Sequence, residues 1–124
     1  MSAPPLFLTV ESEGGALWLR LAGVLDYDTS DELAARADAC VEQDPQAGEL
    51  HLDCEKLRLC DSTGLSALLM IHRRTTARGI RLFLDNPPPF MERMLSVTGT
   101  RDLFALENEK PRHRRPDEVR ETTD

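Results

Sequence analysis

A chain of 124 residues with 40% hydrophobic residues is long enough to bury one core and short for two domains. Its formal net charge of -7 excludes nucleic acid and anionic membrane as principal partners, because neither polyanion is attracted by such a field. No apolar window reaches bilayer-spanning length and the N-terminus has no basic-then-apolar leader, so the expected localisation is cytoplasmic. Cys40, Cys54 and Cys60 are odd in number, lack C-x-x-C spacing and fall in apolar periodic segments, which suits reduced side chains and implies no metal and no cofactor.

Leu6, Leu8 and Val10 alternate with Phe7 and Thr9, and Leu17, Leu19 and Leu21 alternate with Trp18 and Arg20. With Glu13-Gly14-Gly15 between them, the two runs predict a β-hairpin. Trp18 opposes the apolar face, where it would cover the far side of the sheet beneath a helix or meet a partner. After Gly23-Val24-Leu25-Asp26, the pattern Thr29-Ser30-Asp31-Glu32 predicts a helix opened by a T-x-x-E capping box. Leu33, Ala37, Cys40 and Val41 supply its apolar face, and Asp44-Pro45 ends it.

Leu50, Leu52 and Cys54 resume strand alternation, with His51 pointing the other way. A second helix is predicted from Ser62, with Leu65, Leu68, Leu69 and His72 on its apolar face and Arg73, Arg74 and Arg78 before Gly79 at its end. Ile80, Leu82 and Leu84 form a strand. Pro87-Pro88-Pro89 then opens a third helix striped by Phe90 or Met91, Met94, Leu95 and Val97, and Leu103 to Leu106 close as a short strand. Strands alternating with helices predict an α/β domain over residues 5–106, a mixed sheet of four to five strands with helices packed on it. Residues 107–124 are charged, with Val119 as the one aliphatic side chain, and are expected to be a disordered tail in which Arg112-His113-Arg114-Arg115 is a solvated run.

On pattern alone Ser62 reads as a structural cap of its helix. Asp26 and Asp28 lie in a loop expected at the same sheet end as Asp61-Ser62, where strand C-termini gather functional loops. Enzyme readings find little support: Ser62 lacks the G-x-S-x-G elbow, and no arginine follows Cys54 or Cys60 at phosphatase-loop spacing. A phospho-aspartate receiver built on Asp53 would need a magnesium-binding acid pair and a late lysine. The sequence offers Glu11 and Glu13 in a hairpin and only Lys56 and Lys110.

Gly23-Val24-Leu25-Asp26 with Thr29 and Leu33, followed by Cys60-Asp61-Ser62-Thr63-Gly64-Leu65-Ser66-Ala67-Leu68, resembles the STAS domain of bacterial anti-sigma factor antagonists over about residues 6–106. The resemblance implies a non-enzymatic domain that binds an anti-sigma factor with serine kinase activity and so frees an alternative sigma factor. It implies phosphorylation at Ser62, which breaks the complex, and a PP2C-type phosphatase that restores it. Partner contacts fall on Asp26, Asp28, Thr29, Asp61, Ser62, Thr63, Gly64 and Ser66, with Gly64 letting the loop enter a kinase site and Thr63 ranking second as acceptor. Within the same fold, the alternative is a STAS module of another phosphorylation-dependent signalling or transporter-associated complex. The residues leave self-association open.

Overall fold

The computed structural model describes residues 5–106; the expectation for the tail therefore lies outside the described residues. Leu6–Glu13 (β1) and Ala16–Leu25 (β2) pair antiparallel through a two-residue turn, Gly14-Gly15, in which both φ angles are positive (58° and 84°). A two-residue turn of this hand matches the twist of the strands it joins, and glycine adopts it without steric cost. Next come Ser30–Gln43 (α1), Glu49–Cys60 (β3), Ser62–Ala77 (α2), Arg81–Asp85 (β4), Pro89–Thr98 (α3), a 3-10 turn at Arg101–Leu103, and Ala105–Leu106 (β5). The sheet order is β1-β2-β3-β4-β5, parallel from β2 onward.

Each parallel crossover steps one strand in the same direction. Because such crossovers are right-handed, all three helices must lie on one face of the sheet. The core agrees: Leu19, Leu52 and Leu84 from neighbouring strands join Leu33 and Val41 of α1, Leu68 and Ile71 of α2, and Met91 and Leu95 of α3. Trp18, His51 and Phe83 project from the opposite face, which no helix among the described residues covers. Of the two readings of Trp18, the one beneath a helix is therefore corrected.

Other departures have local causes. The predicted capping box does not form. Thr29 makes no capping hydrogen bond; its hydroxyl donates to the Val24 carbonyl (2.9 Å) and accepts from the Asp26 amide (2.9 Å), tying the loop to the strand it leaves. β3 runs past Cys54 to Cys60 because register shifts against β2 break its alternation. Val97 is 84% exposed, since Met91 and Leu95 already fill the core side of α3. Leu103 belongs to the 3-10 turn, and the last strand is only two residues long.

The three cysteines are free. Burial pushes the Cys54 thiol well above its usual range, and burial with the Asp61 charge pushes Cys60 up to about 12. Because the thiolate is the reactive form, Cys54 and Cys60 in folded protein should react with a disulfide reagent at pH ~8 at least about a hundredfold more slowly than in unfolded protein. Equal rates in urea and in buffer would refute this.

Candidate functional site

Leu25 and Cys60 are register partners in β2 and β3, so the segments that follow them leave the sheet side by side. The Asp61 amide donates to the Leu25 carbonyl (3.2 Å), joining the two exits directly. In the first loop, Asp26 Oδ1 accepts the Asp28 amide (3.0 Å), and the Asp26 carbonyl accepts from the Ser30 amide and hydroxyl at 2.9 and 2.6 Å. This chelated turn buries Thr29, leaves Asp26 half-buried and exposes Asp28. Asp26 and Asp28 thus stand beside Asp61 on one rim, and the rim is acidic.

The cap of α2 is Asp61. Its backbone is extended (φ -94°, ψ -172°) and its carboxylate accepts the Gly64 amide at 2.9 Å. This corrects the structural reading of Ser62. With the capping position filled, Ser62 is the first helical residue, exposed, and its hydroxyl makes no hydrogen bond among the described residues. Thr63 is half-buried, and Ser66 is exposed one turn further along. Spacing of i, i+4 and i+8 sets Ser62, Ser66 and Met70 in one stripe, and Met70 is 37% exposed.

Gly64 has a packing role that the sequence did not show. It is buried, and a Cβ there would fall 2.7 Å from the Leu25 carbonyl oxygen and 2.9 Å from Cys60 Sγ. The missing side chain lets the first turn of α2 seat on the end of β2, and that contact holds Ser62 at the rim. Since a backbone carbonyl cannot step aside, Gly64→Ala should lower stability by about 2 kcal/mol, read as a drop in the urea midpoint. An unchanged midpoint would show the first turn to be loosely seated.

Sequence reasoning missed Tyr27, which is 79% exposed between Asp26 and Asp28. A bulky aromatic inside a turn with no apolar periodicity around it was the available signal. It also took His51 for an outward-facing strand residue. His51 is 2% exposed, its ring stacked between Trp18 (centroids 5.0 Å) and Phe83 (4.6 Å), with Nδ1 2.9 Å from Asp85 Oδ2 and Nε2 3.0 Å from Glu49. The alternation was correct; the burial had no local sign. Asp53, the aspartate a receiver would phosphorylate, sits seven residues before the end of β3 and is engaged by Arg20 and Asn86 at 3.5 and 3.2 Å.

A mixed sheet covered by helices on one face, with an Asp-Ser pair opening a helix where β3 ends, is the architecture of a STAS domain. The family model described as Mlab, STAS domain matches residues 8–106, and the chain belongs to that family. Its relatives include an anti-sigma F factor antagonist of Paenibacillus polymyxa, 28% identical over 94 residues that span 76% of this chain and 80% of the relative. Among solved structures, an anti-sigma factor antagonist from Mycobacterium paratuberculosis superposes with a TM-score of 0.74 at 21% identity, all of both chains being covered. The Bacillus cell fate determinant SpoIIAA in its phosphorylated form gives a TM-score of 0.64 at 20% identity, covering 95% of this chain and all of that one. No helix among the described residues is long and apolar enough to cross a membrane.

Proposed function

We propose that this protein is an anti-sigma factor antagonist: unphosphorylated, it binds an anti-sigma factor with serine kinase activity and releases an alternative sigma factor. Phosphorylation of Ser62 ends the complex, and a PP2C-type phosphatase restores it. The observation that carries this reading is the exposed Ser62 hydroxyl, left without a structural task because Asp61 caps the helix. A phosphate there adds about -1.5 to -2 charge to a rim whose loops already carry Asp26, Asp28 and Asp61. A partner docked on Ser62, Ser66 and Met70, with Tyr27 as an anchor, then meets a desolvated dianion. Association ends without refolding of the domain. The antagonist relative and the structure of SpoIIAA in its phosphorylated form support the same reading.

The test is affinity capture of the unmodified chain from its host, followed by mass spectrometry of what it holds and of its own peptides. Recovery of a serine kinase together with phosphate on Ser62 is expected. A chain whose Ser62 stays unmodified when incubated with the captured kinase and ATP would overturn the proposal.

A further inference from the structure

The two edges of the sheet are unlike. Among the described residues β5 is two residues long, the short kind of edge that resists pairing with another chain, whereas β1 is an eight-residue strand that pairs only with β2. The outer side of β1 therefore presents a row of backbone N–H and C=O groups to any strand that approaches. The usual guards are missing from it. β1 contains no proline and no lysine, and its pairing with β2 runs one to one from Leu6 to Glu13 without a bulge. Glu11 is turned onto the sheet, its carboxylate 2.7 Å from Arg20 Nη1 on β2, and Leu6–Val10 is an edge segment without a charge. Apolar side chains stand exposed on both faces of that segment: Phe7 is 52% and Val10 38% exposed. Each borders an open groove. The groove on the open face, about 390 Å³, is lined by Phe7, Thr9 and Arg20 among others, and the one on the helix face, about 460 Å³, by Val10, Leu17, Ala39 and Cys40 among others.

We infer that β1 is the interface of a homodimer, in which a second copy of this chain adds its own β1 antiparallel across a two-fold axis and joins the two five-stranded sheets into one. The segment is its own complement. With the axis through Leu8, Leu6 faces Val10, Phe7 faces Thr9 and Leu8 faces Leu8 of the other copy, so apolar or β-branched side chains oppose one another throughout. Glu11 falls opposite Pro5, and no acid of the paired segment opposes an acid. Antiparallel partners keep to the same face, so the other copy's Phe7 and Thr9 lie along the groove of the open face and its Leu8 and Val10 along the groove beside α1. Backbone hydrogen bonds with a groove for each face are what strand addition uses. The symmetry also closes the open β1 edges of both copies at once. Because β2 and β3 run in opposite directions in the two copies, the two Asp61-Ser62 rims lie at opposite ends of the joined sheet and both stay open. Dimerisation through β1 therefore neither needs nor blocks the phosphorylation switch proposed above.

Sedimentation equilibrium of the protein between about 1 μM and about 500 μM, which brackets the affinity of a modest interface, should show the mass rising from one chain to two. F7K/V10K places two lysines on each edge, the side chain by which natural edge strands repel pairing, and should weaken association at least about tenfold. Far-UV circular dichroism and the urea midpoint check that the variant keeps its fold. Amide hydrogen exchange of the unsubstituted chain gives a second readout that no variant's folding affects: protection within Leu6–Val10 should rise about tenfold from the lowest to the highest concentration. A mass of one chain across the whole range would overturn the inference. So would a dimer that F7K/V10K leaves intact, or concentration-dependent protection that spares β1, because the copies would then meet on another surface.

Discussion

Ser62→Glu is expected to weaken binding to the kinase partner at least tenfold, about 1.4 kcal/mol or more, while Ser62→Ala binds within about threefold of the unsubstituted chain and can no longer be switched off. The two effects separate because the Ser62 hydroxyl makes no hydrogen bond among the described residues, so its removal disturbs neither α2 nor the rim. Glutamate at the first helical position favours the helix dipole, so lost affinity cannot be ascribed to a damaged helix. Asp61→Ala gives the reverse pattern: it removes the acceptor of the Gly64 amide and should cost about 1 kcal/mol of stability while leaving the phosphate acceptor in place. Calorimetric titration of each variant against the purified kinase, with urea midpoints alongside, reads both quantities. Equal affinities of the Ala and Glu variants would refute the switch.

What could be read from the chain follows from where its physics is local. Hairpin, helix order and sheet class came from alternation, Gly-Gly and Pro-Pro-Pro, each of which acts within a few residues. The rim was legible too, because parallel strands must deliver Asp26 and Asp61 to the same end. The choice of capping residue was not. Thr29 and Ser62 both suit a cap by type, yet Thr29 is drawn to the Val24 carbonyl and Ser62 is displaced by its neighbour Asp61, and either outcome depends on how the loop meets the strand before it. The packing role of Gly64 was not legible, since the Leu25 carbonyl that excludes a Cβ comes from a strand 39 residues earlier. His51 was least legible: its partners Asp85, Phe83 and Trp18 lie on two other strands and converge through register alone.

That convergence leads to a pH-dependent stability. Burial pulls the His51 pKa down, but hydrogen bonds and charges from Asp85 and Glu49 outweigh it and leave the imidazole above its ordinary 6.5. A group whose pKa is higher folded than unfolded binds its proton more tightly in the native state. Its contribution is therefore complete below about pH 6.5 and is lost as pH rises through the raised native value. His51→Phe keeps a ring of similar size between Trp18 and Phe83 but removes both hydrogen bonds and strands the Asp85 carboxylate. Breaking a buried pair in this way should cost about 3 kcal/mol near pH 6. Between pH 6 and 9 the gap between the unsubstituted chain and the variant should narrow, because neutral His51 can still donate one hydrogen bond to Asp85 but no longer offsets its charge. Urea midpoints of both proteins across that range measure it. A gap of constant size would mean that His51 is neutral throughout and that the stacking of its ring, rather than its proton, holds this face together.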